Sequence, residues 1–211
     1  MDEDILLPGL QDYLTGLLPD RDGVLLEIEA YAEEKQFPIV GPLIGIFLMQ
    51  YTRLIKAKRI LELGSGFGYS AIWFAKGVPE GGEIICTDLS QENVERAKSY
   101  FEKGGISEKI RFLVGDGLEV LSQLDGEFDI IFNDIEKEDY PEAFKAAIPR
   151  LRKGGLLITD NVLWYGKVVD AASTERATIG AREYNRLAFN DSRVISTIVP
   201  IRDGLGISLK L

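Results

Sequence analysis

The sequence predicts an α/β protein built on a doubly wound, mostly parallel sheet, and three observations predict it. From Arg59 onward short apolar runs alternate with segments of helical period. Paired glycines fall between them, at Gly81-Gly82, Gly104-Gly105 and Gly154-Gly155, where helices are expected to end and turn back into strands. The run Ile60-Leu61-Glu62-Leu63 breaks into Gly64, Gly66 and Gly68 and then resumes as the apolar stretch Ala71–Ala75. A buried strand, a backbone-only turn and a helix are the unit with which such sheets let a ligand approach the main chain.

Taken in order, residues 1–38 read as helical. Ile5, Leu6, Leu10, Tyr13, Leu14, Leu17 and Leu18 recur at helical spacing until Pro19-Asp20 punctuates. A second helix carries Val24, Leu25, Ile28 and Tyr31 inward and Glu27, Glu29, Glu33 and Glu34 outward. Pro42 suits the first turn of a third, with Leu43, Ile46, Phe47, Leu54 and Ile55 on its apolar face. Strands are expected at Ile60–Leu63, Glu83–Asp88, Ile110–Val114, Phe128–Asn133 and Leu156–Thr159. Helices lie between, near Tyr69–Lys76, Gln91–Lys103, Leu118–Leu124 and Tyr140–Leu151. Such alternation means parallel strands joined by right-handed crossovers. After a last helix, about Thr174–Phe189, the runs Val194–Val199 and Leu205–Leu211 flank Arg202-Asp203-Gly204 and read as an antiparallel hairpin. The expectation is a single domain over 1–211, with a helical addition at 1–57 and the sheet core at 58–211.

Composition narrows the function. A formal net charge of −10 disfavours nucleic acid and anionic membrane, which both recruit basic surface. The lone Cys86 excludes an internal disulfide or a multi-thiolate metal site. With no histidine in the chain, Ser-His-Asp chemistry and imidazole-ligated zinc are excluded, so any metal would be held by oxygen. The N-terminus Met1-Asp2-Glu3-Asp4 is acidic, unlike a signal peptide. The apolar stretch Ile44–Met49 falls far below the about 20 residues of a bilayer span, so a cytoplasmic protein is expected.

The glycine spacing is G-x-G-x-G, not the G-x-G-x-x-G of a dinucleotide site, which counts against a nicotinamide dehydrogenase. Ligands of these sheets bind beyond the C-terminal strand ends, and there the chain puts Glu62, Asp88, Asp116, Asp134 and Asp160. Asp116 also fits a helix cap with Glu119, and Ser90 could cap the helix after Asp88. Five acids at one edge need positive charge to offset their repulsion. S-adenosylmethionine offers a sulfonium, an ammonium and a ribose diol. Asp88 is placed for the diol, Glu62 for the amino-acid end, and Asp116 and Gly117 for the adenine. Asp134, Asp160 and Asn161 are three hard oxygen ligands at adjacent strand ends, suited to Mg²⁺, with Mn²⁺ or Ca²⁺ as alternatives. Taken alone, Asp160-Asn161 would read equally as a polar strand-to-loop turn.

These residues sit in longer blocks. The chain resembles the cation-dependent, S-adenosylmethionine-dependent O-methyltransferases of the catechol and caffeoyl-CoA type over nearly its whole length. Residues 60–70, Ile-Leu-Glu-Leu-Gly-Ser-Gly-Phe-Gly-Tyr-Ser, are similar to that family's cofactor loop. Residues 128–140, with Asp134, Lys137 and Tyr140, are similar to its D-x-x-K segment. Residues 154–168, with Asp160-Asn161-Val162-Leu163-Trp164, are similar to its D-N-x-L-W segment; Arg182, Asn185 and Pro200–Leu205 also fit. The resemblance implies a class I, Rossmann-like methyltransferase fold of seven strands and a homodimer. It implies a phenolic small-molecule acceptor with vicinal hydroxyls. Asp134, Asp160 and Asn161 would bind the metal, and Lys137 would act as general base or electrostatic partner of the acceptor hydroxyl. Glu62, Gly64, Ser65, Gly66, Gly68, Tyr69, Ser70, Asp88, Leu89, Asp116, Gly117 and Asp134 would line the cofactor. Trp164 and Tyr165 would stack on the acceptor or pack in the core. The chain departs from the family at Glu136, at Asn133, and at Leu43-Ile44-Gly45-Ile46, where a polar segment keeps only its glycine. Rival readings are a nucleic-acid or protein methyltransferase and a cofactor-binding protein without turnover. Charge and the lack of an Asn-Pro-Pro-aromatic motif oppose the first.

Overall fold

The computed structural model describes Leu7 and residues 9–211, so Ile5 and Leu6 of the first expected helix lie outside the described residues. The first helix, α1, spans Leu10–Gly16 and buries nothing; Tyr13 and Leu17 are exposed. Helix α2 (Gly23–Lys35) starts where Asp22 accepts the Leu25 N–H, and α3 (Gly41–Leu54) has Pro42 in its first turn.

Seven strands follow: β1 (Arg59–Leu63), β2 (Glu83–Asp88), β3 (Ile110–Val114), β4 (Phe128–Asn133), β5 (Leu151–Thr159), β6 (Val194–Val199) and β7 (Leu205–Lys210). Between them lie α4 (Tyr69–Gly77), α5 (Gln91–Lys103), α6 (Gly117–Gln123), α7 (Tyr140–Ala147) and α8 (Arg176–Asn190). The sheet order is β3-β2-β1-β4-β5-β7-β6, with β1–β5 parallel and β7 antiparallel to both its neighbours. One face is covered by residues of α2–α5, the other by α6–α8. Apolar residues of α2 and α3 thus share a core with the sheet. Strand order reverses between β1 and β4, so the loops after these two strands open the crevice in which such sheets bind ligands. No helix among the described residues is long and apolar enough to cross a membrane.

Two boundaries differ from expectation. The helix expected over Tyr140–Leu151 stops at Ala147, because Pro149 has no N–H to donate and disfavours α geometry before it. A 3₁₀ turn, Ile148–Arg150, carries the chain onward, and Leu151 opens β5. Gly154-Gly155 then lie inside β5, not ahead of it. Gly154 has φ +75°, and the register against Phe128–Ile130 shifts there, the signature of a bulge.

Candidate active site

The loops after β1, β2, β3, β4 and β5 and the segment between α2 and α3 enclose a cavity of 570 Å³. That volume is within the range of small-ligand sites. Of the residues named from the sequence, Gly64, Ser65, Gly66, Tyr69, Ser70, Asp88, Leu89, Asp116, Gly117, Asp134, Lys137, Asp160, Asn161, Trp164 and Tyr165 all line it. Glu62 and Gly68 do not.

The glycine loop is held from two sides. Asp88 Oδ2 accepts the Gly66 N–H at 2.9 Å, while its Oδ1 takes the Ser90 N–H and the Asn93 amide. Thr87 Oγ1 accepts from Gly64 N–H at 3.3 Å. Gly64 adopts φ +78°, and a Cβ there would stand 2.5 Å from the Asp134 carbonyl oxygen. Only glycine lets the β1 and β4 loops approach this closely. Asp116 caps α6, accepting from Leu118 and Glu119 N–H groups, and keeps its place on the cavity wall. Ser90 caps α5.

Glu62 is fully buried one layer beneath the loop. It accepts hydrogen bonds from Ser65 Oγ at 2.5 Å, from Ser70 Oγ, and from Cys86 Sγ at 3.4 Å. Desolvation pushes its carboxyl up to about 7, against the two serine hydroxyls that hold it down. Gly68, the N-cap of α4, faces Phe101 and Ala97 instead of the cavity. The Tyr69 ring lines the cavity, yet its hydroxyl donates to Glu29 on α2 at 2.6 Å.

At the other end, Asp134 and Asp160 follow β4 and β5. The Asp134 N–H donates to Leu63 O and the Asp160 N–H to Asn133 O, which continue the ladder into the site. Asp160 is 4% exposed, and its Oδ1 is buried without a hydrogen-bond partner. Both carboxyls are pushed up, foremost by desolvation. Asp134 is raised further by the neighbouring Asp160 charge, and Lys137 opposes the rise at both. The Lys137 ammonium lies 3.7 Å from Asp134 Oδ1, and 5.4 and 5.5 Å from the ring centres of Trp164 and Tyr140. Tyr140 Oη donates to the Asp160 carbonyl at 2.8 Å.

Asn161, Trp164 and Tyr165 have φ of +54°, +47° and +53°. This left-handed run is rare for such residues and needs outside support. Asp203 Oδ1 accepts the Tyr165 N–H at 2.5 Å, and Asn185 Nδ2 donates to Val162 O at 2.8 Å. Arg182 donates to Ser173 O at 2.6 Å. The Arg182–Asn185 pair singled out in the sequence therefore braces the loop behind the site.

Three features were not assigned to the site from the sequence, although Arg202 falls in the Pro200–Leu205 block that fits the family. Residues Phe37–Val40 form one cavity wall from a segment far away in the chain. Arg202, at the β6–β7 turn, lines the wall as well. Gly180 on α8 packs directly on the backbone of Lys137 and Glu138. The departures fall unevenly: Glu136 lines the cavity, whereas Leu43, Ile44 and Gly45 are buried in α3 away from it. Asn133 is wholly buried with neither amide atom hydrogen-bonded.

Two carboxylates and an amide at one end suit an oxygen-ligated divalent cation, and the partnerless Asp160 oxygen is a donor without a structural use. Among the described residues no three His, Cys, Asp or Glu side chains gather into a metal-binding group, here or elsewhere, so the third oxygen would have to come from the Asn161 amide. The glycine loop and Asp88 suit a nucleoside-bearing ligand.

The O-methyltransferase family model matches residues 24–211. The catechol O-methyltransferase of Niastella koreensis is 34% identical, the match covering 92% of this chain and 90% of that one. Caffeoyl-CoA O-methyltransferase 5 of Nicotiana tabacum is 35% identical over 76% of this chain and 72% of its own length. Among solved structures, the O-methyltransferase of Bacillus cereus in complex with SAH superposes with a TM-score of 0.89 at 28% identity, covering 96% of this chain and 97% of that one. TomG of Streptomyces achromogenes in complex with SAM gives 0.88 at 29% identity, covering 96% of each. On the strength of the family match and of the cavity at its sheet edge, this chain belongs to the O-methyltransferase family.

Proposed function

We propose that this methyltransferase moves a methyl group from S-adenosylmethionine to one hydroxyl of a catechol-like acceptor, with help from a divalent cation, Mg²⁺ foremost. The observation that carries the reading is the meeting of two half-sites in one cavity. The glycine loop with Asp88 forms one, and Asp134, Lys137, Asp160 and Asn161 form the other. The cofactor supplies an electrophilic methyl on a sulfonium. The Gly64–Gly68 turn would bring main-chain groups to it, Asp88 would accept from its ribose hydroxyls, and Leu89, Asp116 and Gly117 would flank its base. Asp134, Asp160 and Asn161 would hold the cation, which supplies the charge that makes a phenol of pKa about 10 easier to ionise. Lys137, next to Asp134, would take up or offset the acceptor's proton as oxygen attacks carbon and the thioether departs. Trp164 and Tyr165 would fix the ring plane, so that oxygen, methyl carbon and sulfur align.

The fuller reading is a single cytoplasmic methyltransferase domain that forms a homodimer. Exposed apolar residues on the N-terminal helices (Tyr13, Leu17, Leu26 and Leu54) support the dimer, and sedimentation tests it. Labelled-methyl transfer to a panel of catechols, with Mg²⁺ or with chelator, tests the chemistry. Turnover that survives chelation sinks the cation's part. Cofactor binding with no diol methylated sinks the acceptor.

A further inference from the structure

Arg202 is a cation that the methyl-transfer scheme does not use. It lies in the turn between β6 and β7 with φ +49°, a left-handed residue held by surrounding backbone bonds. Gly204 N–H donates to Ile201 O at 2.9 Å, Val162 N–H to Gly204 O at 3.0 Å and Leu163 N–H to Asp203 O at 3.0 Å. The turn is therefore stitched to the loop that carries Asn161, Trp164 and Tyr165. The guanidinium is fixed in turn: Nη1 donates to Ile39 O at 2.8 Å, and the group rests against Gly41, where a Cβ would stand 2.7 Å from Nη1 and 3.4 Å from Cζ.

This spends one of the five N–H donors of a guanidinium. Among the described residues no carboxylate comes within 4.0 Å of it. A counter-charge for Asp160 or Asp203 would serve best in direct contact, and that contact is not made. What remains is a planar, oriented donor group on the cavity wall shared with Trp164 and Tyr165, in a protein whose net charge of −10 repels anions at long range. A guanidinium fork matches a carboxylate in two parallel hydrogen bonds, a geometry that lysine cannot offer.

We propose that Arg202 determines acceptor specificity: the preferred substrate is a vicinal diol that also carries a carboxylate, and the free donors of Arg202 bind that carboxylate. The inference rests on the methyl-transfer reading above and adds the acceptor's charge to it.

The test compares kcat/KM for 3,4-dihydroxybenzoate and for its neutral amide in the wild type and in Arg202→Met, with Mg²⁺ present. A charge-assisted hydrogen bond contributes about 1.5–3 kcal/mol, so the wild-type acid:amide ratio should be about 10 to 150, carried mainly by KM. In Arg202→Met the ratio should fall to about 1, and in Arg202→Lys, which keeps the charge and loses the fork, it should be intermediate. The ratio cancels any general damage from freeing the Ile39 carbonyl. A wild type that methylates the amide as well as the acid overturns the inference and leaves the diol reading standing. So does a ratio that Arg202→Met leaves untouched. Failure to methylate either diol, or any other catechol, overturns both.

Discussion

Replacing Gly180 by alanine tests whether Lys137 is held in place from behind. A methyl on Gly180 would stand 2.8 Å from the carbonyl carbon of Lys137 and 2.9 Å from Cα of Glu138. Ordinary carbon contacts lie at about 3.5–4.0 Å, so something must move by about 1 Å. The neighbour is main chain, with no flexible tip to swing aside. Helix α8 is the stiffer partner: Ala181, Tyr184 and Ala188 are buried in the core, and Asn185 is bonded to Val162 O. The Lys137–Asp139 segment is a single 3₁₀ turn with Glu138 and Asp139 exposed, so it yields. Its movement carries the Lys137 ammonium relative to Asp134 and the acceptor. Misplacing a reacting group by about 1 Å costs about 10²-fold in rate. Overpacking costs about 1–3 kcal/mol, and each kcal/mol lowers Tm by about 2–4 °C in a chain of this size. Methyl-transfer kinetics with a thermal melt of Gly180→Ala should therefore show kcat down about 10²-fold and Tm down by several degrees. Donor affinity should stay close to wild type, since the glycine loop stands on other strands. A variant that loses stability and keeps wild-type kcat would refute the reasoning, because the turn would then have moved without consequence for the reaction.

Glu62 gives a pH prediction. Its folded carboxyl, at about 7, lies above the ordinary value of 4.5, so the folded state binds the proton more tightly and Glu62 favours folding most at low pH. That contribution is lost as pH rises from about 4.5 to about 7. The Tm advantage of Glu62→Gln over wild type should grow through this window and level off above it; a flat difference would show that Glu62 is not ionising there. Asp160→Asn removes one of two repelling, desolvated carboxylates. It should raise Tm in chelator while abolishing Mg²⁺-supported turnover, and retained turnover would count against the cation site. Asn133→Val replaces a buried amide that makes no hydrogen bond, and should stabilise by about 1–3 kcal/mol in denaturant titration.

The sheet was legible because its central parallel strands, β1 and β4 above all, are buried on both faces and so read as apolar runs between turn residues. The acids after β4 and β5 were legible as strand ends, and the cavity brings them together with Asp88 and the glycine loop. What escaped lies in contacts between residues far apart in the chain. Gly180 meets Lys137 across α8, and Arg202 meets Ile39 over a separation of 163 residues. Gly180 carries no local pattern, and the turn that holds Arg202 says nothing of its partner across the chain. The bulge at Gly154 escaped for a related reason: two glycines mark a turn and a bulge alike, and only the pairing of β4 with β5 tells them apart.

Glu62 shows how far the strand-end rule reaches. The sequence puts five acids at one edge, but they occupy different positions in their strands. Asp134 and Asp160 come one residue after the last of β4 and β5, Asp116 two residues after β3, and Asp88 is the last residue of β2. Glu62 is the penultimate residue of β1, still inside the pleat. Side chains alternate along a strand, so Glu62 must share a face with Ile60, which packs in the core under α4, while Leu61 and Leu63 face the other layer. Parity sends its carboxylate beneath the N-terminus of α4, where the helix dipole and the Ser65 and Ser70 hydroxyls receive it. An acid beyond its strand's last residue is free to turn toward a ligand; one inside the ladder is committed by the pleat. On that ground Glu62 acts on the site through the two serines it holds, and the four remaining acids form the edge that a cationic ligand meets.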